Sequence, residues 1–77
     1  MERELIEYLA KALVDEPEQV EVAVIEGEKS TILELRVAPD DVGKVIGKHG
    51  RIAKSIRTVL SAASSKSGKR VVLEILD

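Results

Sequence analysis

"VGKVIGKHGRIAKSIR", residues 42–57, places three glycines and five Lys/Arg side chains within sixteen positions of a 77-residue chain whose formal net charge is −2. Elsewhere the charge runs the other way. Residues 1–41 hold twelve Asp/Glu against four Lys/Arg, a net of −8, while residues 42–77 hold two against eight, a net of +6. No acidic residue stands between Asp41 and Glu74. A segment of this kind attracts a polyanion despite the acidic total, whereas a charge run taken alone reads equally well as a solvated helix face.

The pattern on either side of this stretch sets the fold class. Pro39 suits the first position of a helix and Asp40 and Asp41 suit its first turn, which predicts a short helix to about Ile46, ended by Gly47. From Arg51, the residues Ile52, Ile56, Val59, Leu60 and Ala63 form an apolar stripe at helical spacing. Upstream, residues 3–14 carry Leu5, Ile6, Leu9, Ala12 and Leu13 at the same spacing, and Pro17 stops the helix. "VEVAVIE" and "STILELRV" then alternate, sending Val20, Val22 and Val24, and Thr31, Leu33, Leu35 and Val37, to one face on either side of Gly27. This reads as a hairpin. "SSKSGK" reads as a polar loop, and "RVVLEIL" as a last strand with Val71, Leu73 and Ile75 inward. Val72 and Leu76 leave the outer face of that strand unusually apolar. The order helix, strand, strand, short helix, glycine turn, helix, strand predicts an α+β sandwich of two layers, with helices on one face of a three-stranded sheet.

Length and composition bound what such a fold can do. Seventy-seven residues suffice for one domain spanning 1–77, near the lower size at which a single core holds. The absence of cysteine removes disulfides, thiolate metal sites and cysteine nucleophiles together. "MERELIEYLA" is unlike a signal peptide and no apolar run approaches a membrane span, so a cytoplasmic protein with no membrane association is expected. His49 is the only histidine and has no acid within seven positions on either side, so neither a metal site nor a nucleophile pair can be assembled around it. We expect no enzyme and no cofactor. Tyr8 is the only aromatic residue, which argues against binding by stacking platforms.

The glycines fit neither common nucleotide motif. Gly43, Gly47 and Lys48 form G-x-x-x-G-K, one residue short of a P-loop, with His49 where a Ser or Thr is required. The dinucleotide fingerprint fails too, because the spacing is G-x-x-x-G-x-x-G and a helix precedes the last pair. What remains is Gly47-Lys48-His49-Gly50 between two helices. Glycine at both ends permits positive φ and removes the β-carbons that would hold a sugar-phosphate chain at a distance. The start of the following helix adds unpaired N–H groups facing that position. A helix C-cap followed by a tight turn would give the same four residues.

"VIGKHG", with Val45 and Ile46 before the turn and an amphipathic helix after it, resembles the signature of the KH RNA-binding domain. The element order over the full chain is similar to the bacterial type II arrangement, and "DDVGKVIGKHGRIAKSIRTVL" resembles the KhpA family of small stand-alone KH proteins. One departure is Ala53, where many KH domains carry a bulky aliphatic residue.

The resemblance implies a single-stranded RNA-binding protein that holds about four nucleotides in a groove clamped by the glycine turn. Gly47, Lys48, His49 and Gly50 would meet phosphates, with Arg51 adding charge. Val45, Ile46, Arg36 and Val37 would line the base side. Lys44 and Lys54 are further candidate contacts, and Arg57 follows Lys54 at three-residue spacing. The family further implies an RNA-chaperone or post-transcriptional role linked to cell shape and cell-wall biogenesis, as a homodimer or beside a KhpB-type KH protein. A protein-interaction adaptor built on the same core is the alternative. On the helical wheel Ser55, Val59 and Ala62 form a narrow, uncharged strip beside the buried stripe, the expected dimer contact. In the other reading, Val59 completes the core.

Overall fold

The computed structural model describes residues 2–65 and 68–76. In chain order the elements are α1 (Glu2–Leu13), β1 (Glu21–Glu26), β2 (Ser30–Arg36), α2 (Val42–Ile46), α3 (Arg51–Ser64) and β3 (Arg70–Leu76), with single 3₁₀ turns at Pro17–Gln19, Pro39–Asp41 and Lys48–Gly50. The three strands form one sheet in the order β1-β2-β3. β1 and β2 are antiparallel, with Val24 opposite Leu33 and Val22 opposite Leu35, while β2 and β3 run parallel, with Leu33 opposite Leu73 and Leu35 opposite Ile75. The hairpin between β1 and β2 closes with the Gly27 amide donating to the Ser30 carbonyl at 2.7 Å. The α+β class and the order α-β-β-α-α-β agree with the sequence reading.

One face of this sheet forms the core. Val22, Leu33, Leu35 and Leu73 are buried against Ile6 and Ala10 of α1, Val45 of α2, and Ile56 and Leu60 of α3. Leu9, Leu13, Ile52, Val71 and Ile75 are partly buried around them. Leu35 and Leu60 lose nearly all contact with solvent, and truncation of such a side chain to alanine costs about 2–5 kcal/mol.

Several positions differ from the periodic pattern. The buried centre of α1 is Ile6 and Ala10, whereas Ala12 is exposed and Leu5 half-buried. Val24 points to the helical face but stays exposed, because it sits on the edge strand beside only the first turn of α1. On α3 the buried residues are Ala53, Ile56, Leu60 and Ser64, while Val59 and Ala63 face solvent. Ser64 belongs to the helix rather than to a polar loop, since its hydroxyl donates to the Leu60 carbonyl at 2.8 Å and is satisfied without water. The rest of that expected loop includes Lys66 and Ser67, which lie outside the described residues.

Candidate nucleic-acid interface

The turn between α2 and α3 holds three residues with positive φ within four positions. Gly47 has φ 80° and ψ 170°, His49 has φ 60° and ψ 22°, and Gly50 has φ 73° and ψ 14°. The Gly47 amide donates to the Gly43 carbonyl at 2.9 Å, closing α2, and the Gly50 amide donates to the Gly47 carbonyl at 3.0 Å. The two glycines are needed for different reasons. A Cβ at Gly47 would lie 2.6 Å from Cγ1 of Ile52, so packing as well as φ excludes a side chain there. At Gly50 a Cβ would meet no atom within 4 Å, and only the left-handed backbone favours glycine. His49 is the one described non-glycine residue with positive φ, a conformation that histidine tolerates better than branched side chains.

Charge is concentrated around this turn. Lys48, His49, Arg51 and Lys54 are all exposed, and no described side chain pairs with them. Lys44 is different. Its ammonium lies 2.8 Å from Oδ2 of Asp15 and 3.2 Å from Oδ1 of Asp41, which raises its pKa above the ordinary lysine value. Asp41 is buried and accepts hydrogen bonds from the amides of Asp15 (3.3 Å) and Glu16 (3.1 Å). Burial pushes its pKa upward, but the two amides and Lys44 outweigh that and hold it below the usual carboxylate range. The carboxylate therefore ties the end of α1 to the start of the helix that carries the glycine turn.

The structure brings only some of the expected residues together. Val45 and Val37 are core residues with no surface to offer a ligand, so Ile46, 36% exposed, is the apolar side chain beside the turn that remains accessible. Arg36 lies on the opposite face of the sheet from the helices, since Leu35 and Val37 on either side of it point into the core. Arg36 ends β2, and it lines a shallow concavity at that end of the strand together with Val37, Gln19 and Pro39. Two features escaped the pattern reading. One is the Asp41 tether, whose carboxylate reads in sequence only as a favourable first-turn charge. The other is Arg57, whose guanidinium donates to the Leu73 carbonyl of β3 at 3.3 Å.

That last contact shows where the exposed flank of α3 lies. β2 is the central strand, so its backbone is paired on both sides, and only β1 and β3 have free edges. Arg57 reaches a backbone carbonyl of β3, so the side of α3 that carries Arg57 faces that edge strand.

An exposed glycine turn between two helices on this mixed sheet defines a KH-type domain. A model of the KhpA/KhpB KH domain matches residues 3–75, and the chain belongs to that family. It is similar to proteins named RNA-binding protein KhpA over nearly the whole of each chain. The relative from Borreliella burgdorferi is 62% identical over 76 residues, covering 99% of this chain and 93% of the relative. The one from Treponema pallidum is 60% identical over 77 residues, covering 100% and 96%. Among solved structures, Era from Aquifex aeolicus superposes with a TM-score of 0.62 at 23% identity, over 96% of this chain and 29% of that one, which speaks to the fold alone. No helix among the described residues is long and apolar enough to cross a membrane.

Proposed function

We propose that this chain binds single-stranded RNA, with phosphates seated on the Gly47–Gly50 turn and bases lying between α3 and the free edge of β3. The carrying observation is the turn itself: three residues with positive φ expose backbone at a helix start, and Lys48, His49, Arg51 and Lys54 stand around it with no ion-pair partner among the described residues. The names of the relatives support RNA as the polyanion. Ile46 supplies the apolar floor next to the turn, and the β3 edge supplies backbone groups that can read base edges. In this reading the base side of the groove runs along β3 and not past the end of β2. The small contact surface fits a chaperone-like binder of many RNAs rather than a reader of one sequence.

Titration of a short single-stranded RNA at several salt concentrations tests this. Neutralising about three phosphates gives a log–log slope near −2 for a single strand. A salt-independent affinity, or preference for duplex RNA, would overturn the groove.

A second reading, as a dimerisation module, is favoured by one observation. Val59 is 45% exposed on α3 between exposed Ser55 and Ala62, so it does not serve the core of its own chain. A two-fold contact through this strip would leave both glycine turns open, and dimerisation with a second copy or a related KH protein is compatible with RNA binding.

A further inference from the structure

The sheet has a second face that RNA binding does not use. Its side chains fall into rows across the strands: Ile25, Ile32 and Val72 form one, Ala23, Glu34 and Glu74 the next, and Glu21, Arg36 and Leu76 the third, with Ser30 and Arg70 at the other end. All three α-helices pack on the opposite side, where the buried residues of the sheet point. Ile25 is 48% exposed, and Ile32, Val72 and Leu76 are half-buried only by their neighbours. This is unusual company for a parallel pair such as β2 and β3, because parallel strands are ordinarily covered on both faces.

The charge on this face is arranged as oddly as its apolar row. Glu34 and Glu74 are directly opposite each other on adjacent strands, and like charges in that position destabilise a sheet. Neither carboxylate has an ion-pair partner among the described residues, although Arg36 lies one row away and Arg70 at the far end. A side chain from outside carrying a positive charge would relieve the repulsion, and apolar side chains beside it would cover Ile25, Ile32 and Val72. RNA is the wrong partner for a surface with two adjacent carboxylates.

The dimensions select the size of the occupant. Three strands spaced at about 4.8 Å and about 20 Å long present roughly 300 Å², whereas a stable association of two globular chains covers about 800 Å² on each. A single helix about 10 Å across fits this area. A second copy of the chain stacked on the same face would bring its own Glu34 and Glu74 toward these.

We infer that the open sheet face, centred on Ile32, Val72, Glu34 and Glu74, is a docking surface for one amphipathic helix of a protein partner that carries an apolar stripe flanked by Lys or Arg. The interface is small and the binding weak. It lies on the face away from the glycine turn, so partner and RNA are held together.

The test uses the full chain and two synthetic helical peptides of about four turns, one with a leucine stripe flanked by lysines and one with the lysines replaced by glutamates. Amide shifts are followed by NMR, and RNA affinity is measured in parallel. The expected result is saturable shifts at Ile32, Glu34, Val72 and Glu74 with the lysine peptide, at least tenfold weaker binding of the glutamate peptide, and an unchanged RNA affinity. Ile25→Lys, or Ile32→Lys if the former unfolds, should abolish the shifts and leave RNA binding intact. Shifts confined to α3 or the glycine turn, equal affinity for the two peptides, or no shifts at all would overturn the proposal. So would a concentration-dependent dimer dissolved by Ile25→Lys, which would assign the face to a second copy.

Discussion

The ammonium of Lys44 stands 3.2 Å from the buried carboxylate of Asp41, and that pair joins the end of α1 to the helix whose C-terminus is the glycine turn. Because Asp41 also accepts two backbone amides from residues 15 and 16, it ties the start of the five-residue α2 to the chain after α1, beside the core packing of Val45. A helix that short has little stability of its own, so its orientation depends on such tethers.

The pair predicts how stability changes with pH. The pKa of Asp41 is lowered on folding, so its contribution is present above the ordinary aspartate value near 4 and is lost as pH falls through and below it. Lys44 is raised, so its contribution is present below the ordinary lysine value near 10.4 and is lost only above it. Thermal melts should therefore show a plateau between these limits and an acid-side decline below about pH 4. Asp41→Asn should lower the plateau and flatten that decline; an unchanged acid limb would remove Asp41 as its source.

The same pairing separates Lys44 from Lys48 as RNA ligands. Lys44 already has two carboxylates and must leave them to reach a phosphate, while Lys48 has no partner among the described residues to lose. Lys48→Ala should weaken RNA binding more than Lys44→Ala, whose main effect should appear in the melting temperature. Equal losses of affinity would show that RNA captures Lys44 from Asp41.

The three glycines of the basic segment should respond differently to alanine. Gly47→Ala combines a backbone at φ 80° and ψ 170°, a region essentially confined to glycine and costing roughly 1–3 kcal/mol, with a collision against Ile52 worth roughly 1–3 kcal/mol more. Gly50→Ala meets only the backbone cost, and Gly50→Asn less than that. Gly43 lies in α2 with nothing within 4 Å of a built Cβ, so alanine there should stabilise by about 0.5–1 kcal/mol. Urea denaturation gives all of these, and the order Gly47, Gly50, Gly43 is the outcome to check. If Gly43→Ala also weakens RNA binding, the ligand approaches that backbone closely.

Lys48 and His49 changed together to Asp should abolish RNA binding without unfolding the chain. Both side chains are exposed and make no contact that the fold requires, and asparagine-like aspartate is tolerated at the positive φ of residue 49. Electrostatic repulsion of phosphate is then the main effect. Circular dichroism and the RNA titration together decide it: retained binding would reduce the glycine turn to a structural cap.

Much of this was legible in the chain because periodicity carries it. Alternation in "STILELRV" marks Leu33, Leu35 and Val37 as inward, and Gly47 and Gly50 mark the turn by conformational need. The same alternation, followed strictly, puts the Arg36 side chain on the face away from the helices. Asp41 was not legible as a tether, since its partners, the amides of Asp15 and Glu16, lie 26 and 25 positions away and amides leave no trace in residue identity. Val59 lay between two readings because a residue at the border of an apolar stripe is core or surface according to what packs beside the helix.

The structure now sharpens what a charge at Val59 should do. Its side chain is 45% exposed, and neighbouring Ser55 and Ala62 are exposed as well, so Val59→Asp should leave a folded chain with a nearly unchanged circular dichroism spectrum. If the strip is a two-fold contact, the small residues let a second α3 approach closely, and a carboxylate from each copy would then meet its counterpart near the axis. Two like charges desolvated in that way oppose association by several kcal/mol. Light scattering should report the wild type as a dimer and Val59→Asp as a monomer at the same concentration. A dimer that survives the substitution would move the contact away from α3, and an unfolded variant would return Val59 to the core despite its exposure.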